Sequence, residues 1–190
     1  RPPSPRMAEG WLRQTAEIPD FRFTAKLWQR FTHERATPWT AQEAGWVADG
    51  LKPLREAGRL GALLLQFPWS FRATPENSDW LARVGETFAG FPCVVEVRHA
   101  SWDTPEHVDW LKRHALSFCN VDQPPAKSGI GRTAHRTGPV GYFRFHGRNS
   151  AAWFNRDAGS NERYNYLYND EELAPWVSSI ADAAREPGEV

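Results

Sequence analysis

The sequence predicts an α/β fold of parallel strands alternating with helices. Two observations carry this: five short apolar or alternating runs recur along the chain, and helix-start signals stand between them. Alternation over four to eight residues marks a strand, whereas a cap followed by apolar residues three and four apart marks a helix. Strands joined through helices need right-handed crossovers, so they lie parallel, with functional side chains at their C-terminal ends.

Taken in order, Ser4-Pro5 opens an N-terminal helix through Trp11 and Leu12. The first strand spans 21–26. Thr40 and Glu43 then stand at capping-box spacing, opening a helical stretch that Pro53 should interrupt and Gly58 end. The remaining strands span 62–67, 93–98, 116–121 and 140–146. Thr74-Pro75 and Thr104-Pro105 each place a cap before a proline at the first helical position. Asn169 and Glu172 open a last helix carrying Leu173, Trp176, Val177 and Ile180.

At this spacing eight strand-helix units need roughly the 250 residues of a typical (β/α)8 barrel, and five fit in the 190 present. Two architectures compete: a piece of a TIM-type barrel, and a complete five-stranded open sheet of flavodoxin type. The chain is expected to be one domain over 1–190. Its only methionine is Met7, behind Arg1, and it stops at Gly188, Glu189 and Val190 just past a Pro-Gly breaker. A fragment or processed form, incomplete at both ends, is the expectation.

A hydrophobic fraction of 41% and a mean hydropathy of −0.62 are globular. No run approaches the roughly 18 to 20 apolar residues of a membrane helix. The 23 basic and 23 acidic side chains cancel, so any anion site must be local. Cys93 and Cys119 are too few for a disulfide framework and sit within strands, where cysteine behaves as a small hydrophobe. With no signal-peptide pattern, a cytoplasmic location is the expectation. Walker, His-Glu-x-x-His, Cys-x-x-Cys and Gly-x-Ser-x-Gly motifs are all absent, which disfavours P-loop nucleotide hydrolysis, zincin and serine-hydrolase chemistry. Gly129-Ile130-Gly131 alone is a weak glycine signal.

Four segments are informative together: Leu64-Leu65-Gln66-Phe67-Pro68; Val95-Glu96-Val97-Arg98-His99 with Ser101-Trp102; His146-Gly147-Arg148-Asn149; and Arg163-Tyr164-Asn165-Tyr166-Leu167-Tyr168. In content, order and spacing they resemble the YecE-like family, a family of unknown function with a (β/α)8-barrel fold. The resemblance runs from Pro2-Pro3 through the last helix. Asn165 departs from it, since the family more often has aspartate there, which weakens any role for a carboxylate at that position. The resemblance implies that the chain holds barrel strands three to seven. It also implies two further strands ahead of these, with Gly-Trp and Val-Glu-Ile-Asn motifs, and a last one with Asn-Asn-His.

Glu96 and Arg98 share a parity, with His99 and Trp102 just beyond the strand. A mutual ion pair bracing the interior is one reading, because a buried charge needs a partner. The other makes Glu96 a general acid/base or metal ligand and Arg98 an anion clamp. Tyr142, Arg144 and His146 share a parity on the last strand, and Gly147 permits a sharp turn, placing His146 at the catalytic rim as proton donor or metal ligand. Lys26, Gln66 and Asp122 end three other strands, where a barrel recruits polar side chains.

From 127 to 163 stand Lys127, Arg132, Arg136, Arg144, Arg148, Arg156 and Arg163 against only Asp157 and Glu162. Trp153, Tyr164 and Tyr166 add aromatic surface, and Asn149 follows Arg148, a mix suited to a phosphate with a stacked base or sugar. A solvated loop surface is the plain alternative. Three functions stand: an enzyme acting on a phosphorylated or other anionic substrate, with a divalent metal left open; a nucleotide or nucleic-acid binding module using 127–168; and a structural polar core.

Overall fold

A computed structural model describes residues 2–155 and 157–185. In it, α1 (Pro5–Gln14), β1 (Phe23–Lys26), α2 (Ala41–Glu56), β2 (Leu60–Gln66), α3 (Pro75–Thr87), β3 (Cys93–Glu96), α4 (Pro105–Arg113), β4 (Ser117–Asp122), β5 (Tyr142–Phe145), α5 (Ser150–Trp153), α6 (Ser160–Arg163) and α7 (Asp170–Ala184) follow in order. All five strands pair parallel in the order β1-β2-β3-β4-β5. A doubly wound sheet reverses its strand order at a switch point. This order has no reversal, so the flavodoxin-type alternative is corrected.

The sheet is curled into a half-barrel. In a flat sheet β1 and β5 would lie four spacings apart, about 19 Å, yet both line a single hollow of about 380 Å³ with Thr24, Ala62 and Tyr142. The concave face gathers Ala62, Leu64, Val94, Cys119, Val121 and Val140. The opposite parity, Leu63, Leu65, Val95 and Phe118, packs under the helices with Val47, Leu51, Leu54, Leu81, Val84 and Leu111. Strict alternation thus aims Gln66, Glu96 and Arg144 at the concave face. No helix of the described residues is long and apolar enough to cross a membrane.

The caps form where the sequence places them: Ser4, Thr74 and Thr104 accept from the backbone three residues on, and Thr40/Glu43 and Asn169/Glu172 close capping boxes. Two expectations are corrected. Pro53 does not interrupt α2, which runs through it to Glu56, because Leu51 and Leu54 on either side are both buried and hold the last turn to the sheet. Gly58 ends the helix with φ of 63°. Nor does a helix join β4 to β5. Pro124-Pro125, Gly129, Gly131 and Gly138-Pro139 break the helical pattern there, and the segment packs directly on β4. Buried Asn120 accepts from the His135 amide (2.8 Å) and the Thr133 hydroxyl (2.8 Å), while His135 Nε2 meets Asp103 at 2.7 Å. Arg156 and the expected Pro187-Gly188 stop lie outside the described residues.

Candidate functional site

Glu96 ends β3 with its side chain wholly buried, at 0% exposure, on the concave face. Arg98 donates to its Oε1 through Nε (3.1 Å) and Nη2 (2.8 Å), Arg144 donates to Oε2, and His146 Nε2 lies 3.3 Å from Oε1. Burial alone would raise the Glu96 pKa. The His146 hydrogen bond and the charges of Arg98, Arg144 and His146 outweigh it and hold the group at about 2. A carboxylate so ionised, with both oxygens engaged, is a poor proton acceptor at neutral pH. The geometry makes it the anchor of its neighbours.

An ionised carboxylate only accepts hydrogen bonds, so Nε2 of His146 carries the proton that faces Glu96, and the proton the ring gains or loses is the one on Nδ1. This is the arrangement in which a carboxylate fixes an imidazole tautomer. His146 is buried, its ring 5.9 Å from Trp153 and 5.8 Å from Tyr164, and those two rings meet edge-on at 5.7 Å. The Arg98 guanidinium lies 5.5 Å from the Trp153 ring. Glu96, Arg98, Arg144, His146, Trp153 and Tyr164, all sequence-predicted, therefore converge.

A second group of predicted residues forms a separate clasp. Arg148 grips Asp122 through Nε (3.0 and 3.2 Å) and Nη2 (2.9 Å), and reaches Glu172 at 3.2 Å. Tyr166 donates to Glu172 at 2.5 Å; Tyr168 donates to Asp122 and accepts from the Gly147 amide at 2.9 Å. The Asp122 hydrogen bond, above all, raises the Arg148 pKa. Both carboxylates and the guanidinium are committed to joining β4 to the start of α7. Gly147 has φ of 81°, and a Cβ there would lie 2.6 Å from that of Tyr166.

The other predicted residues scatter. Asn149 caps α5 and donates to the Glu162 carbonyl at 3.0 Å; Arg163 donates to the Asn155 carbonyl at 3.0 Å. Trp102 is fully buried, stacked on Phe71 at 5.4 Å with Nε1 donating to its carbonyl. It is core, because its flat ring fills the space beneath the short turn it ends. His99 caps that turn, Nδ1 accepting from Ser101 N at 3.1 Å, and burial with the Arg72 charge lowers its pKa. Lys26 and Gln66 keep the concave parity on β1 and β2, Gln66 in register with Glu96.

The basic run between 127 and 163 is one patch in sequence and several in space. Arg136 donates to the Ala183 carbonyl at the end of α7, while Arg148 holds Glu172 at its start. Those ends are about 20 Å apart at 1.5 Å per residue. Arg144 faces the concave side instead. Among the described residues no three His, Cys, Asp or Glu side chains converge as a metal site. Glu96 faces guanidiniums rather than a second acid, a donor set that does not suit a divalent cation.

Sequence reasoning missed Tyr168 and Glu172 as parts of the clasp, and singled out neither Gln123 nor His33. Gln123 follows Asp122 with the concave parity, and its Nε2 is buried without a hydrogen-bond partner among the described residues. Extending the strand's alternation by one residue would have found it. Nothing comparable marked His33, which sits past a short 3-10 turn.

The family described as protein of unknown function DUF72 matches residues 1–190. This chain belongs to the DUF72 family. The UPF0759 protein YunF of Bacillus subtilis (strain 168) is 29% identical over 194 residues, covering 95% of this DUF72 chain and 68% of the relative. A crystal structure of a DUF72 family protein from Thermotoga maritima MSB8 superposes with a TM-score of 0.86 at 34% identity, covering 98% of this chain and 70% of that one. One from Enterococcus faecalis V583 gives 0.86 at 26% identity, covering 99% and 72%.

Proposed function

We propose that the concave face is an anion-binding enzyme site in which Arg98 and Arg144 hold the substrate's anionic group and His146 moves a proton. The observation that carries this is the Glu96 hub: one ionised carboxylate fixing two guanidiniums and one imidazole. Arg98 spends two N–H groups on Glu96 and Arg144 one, which leaves N–H donors on each for a ligand. Glu96 is the positioning residue; His146 Nδ1 is the atom that takes or gives the proton. The sheet's curl and unreversed order support reading it as strands three to seven of a TIM-type (β/α)8 barrel, whose sites lie at this end of the strands. The motif resemblance to YecE-like proteins supports the same reading.

The test is calorimetric titration with inorganic phosphate at low salt, comparing the wild type with Arg98→Met, Arg144→Met and Arg132→Met. The first two should each weaken binding about tenfold, as loss of a charge-assisted hydrogen-bond donor does, and the third, which lies beside Arg148 and Glu172 at the start of α7, should not. Absence of binding, or equal binding by all four proteins, rejects the anion site.

A further inference from the structure

Charge complementarity narrows the substrate. Arg98 and Arg144 face Glu96 with two positive charges against one, and Lys26, two strands away on the same concave face, brings the surplus to two. Lys26 ends β1 on the concave parity, is exposed, and has no acidic partner among the described residues. Its place is set by register, Lys26 pairing with Leu64 of β2 two residues before Gln66, which pairs with Glu96, and His33 feels both ends of this face. That imidazole is shifted down first by burial and then by the charges of Lys26, Arg35 and Arg98, so all three lie within electrostatic reach of one ring. Glu34 opposes them there, its carboxylate accepting from Gln29 at 2.8 Å, while Arg35 is engaged with Asn77 at 2.6 Å. His33 Nδ1 is engaged with the buried Thr32 hydroxyl at 2.8 Å, which leaves Nε2 for a ligand.

We infer that the anion taken by this face is a dianion, a phosphomonoester, held between Arg98 and Arg144 on one side and Lys26 with His33 on the other, its organic part against Trp153 and Tyr164. The inference rests on the anion site proposed above. A carboxylate or sulfate ester brings one negative charge and leaves the surplus half compensated; a phosphomonoester brings close to two at neutral pH. The aromatic wall is accessible, Tyr164 being half exposed, and Trp153 already carries the Arg98 guanidinium near its ring. A phosphodiester has a single charge, so the same preference selects a terminal phosphate over the backbone of a nucleic acid.

Phenyl phosphate and phenyl sulfate have the same shape and differ by one charge, so calorimetric titration of both at pH 7.5 decides the matter. The wild type should bind phenyl phosphate at least tenfold more tightly than phenyl sulfate. Lys26→Met should narrow that ratio about threefold, weakening the phosphate ester about tenfold and the sulfate about threefold, because the attraction of one nearby charge scales with the charge of the ligand. Trp153→Leu should weaken phenyl phosphate while leaving inorganic phosphate unchanged. Equal affinity for the two esters, or a ratio unchanged in Lys26→Met, overturns the dianion assignment while the Arg98 and Arg144 site stands. If neither ester binds, or Arg144→Met binds both as the wild type does, the anion site and this inference fall together.

Discussion

Glu96 shows how one residue both stabilises the structure and organises the site. Its pKa is held at about 2, below the ordinary 4.5. A depressed carboxyl contributes stability that is fully present above pH 4.5 and lost as pH falls toward 2, where the folded state must also take the proton. The shift corresponds to about 3 kcal/mol. Glu96→Gln should therefore destabilise the protein at pH 7 by about that amount, or roughly 6–12 °C in a chain of this size, since two guanidiniums then face each other with no carboxylate. The gap between wild type and variant should close between pH 4.5 and 2. Thermal melts of both across pH 7 to 2 measure it, and a gap that does not change with pH would mean that Glu96 is not ionised in the fold.

Among the elements, α7 depends most on a few side chains. Its N-terminus is joined to β4 by Arg148 between Asp122 and Glu172, and its buried Trp176 meets Phe143 and Phe145 of β5 at 6.2 and 5.3 Å. Gly147 lets the chain turn from β5 into that clasp, and any side chain there meets both an unfavourable φ and Tyr166. Gly147→Ala should cost on the order of 1–3 kcal/mol and loosen α7 first. Amide exchange would show faster exchange in 170–184 with β2 and β3 protected as before; uniform acceleration throughout would instead place the clasp in the cooperative core. The helices themselves were legible because their signals are local. Thr40 with Glu43 and Asn169 with Glu172 declare their own capping boxes, and each strand's alternation declares its faces. Pro53 misled because its local penalty is outweighed by Leu51 and Leu54, whose burial appears only once the sheet exists. The missing helix between β4 and β5 was marked by its prolines and glycines, but not the use of that segment as the layer over Asn120.

Across the whole molecule, what sequence could not show is which charges share a face. The parity of Glu96, Arg98, Arg144 and His146 was readable, and those residues converge as alternation requires. The basic run was readable only as a run: Arg136 and Arg148 attach to opposite ends of α7, and Arg144 turns inward to Glu96. That dispersal has a measurable consequence. A patch in which all seven basic residues met one nucleic-acid strand would release counterions in proportion, giving a slope of log K against log salt of about −5 for single-stranded DNA. With Arg148 held between two carboxylates and Arg136 at the far end of the helix, one or two phosphates can be met at a time, and the slope should be near −1. Fluorescence anisotropy with a labelled oligonucleotide between 50 and 200 mM salt gives the number directly. A slope near −5 would mean that these side chains rearrange into a single interface on binding; a shallow one means that Arg136, Arg144 and Arg148 keep their separate partners on α7 and Glu96.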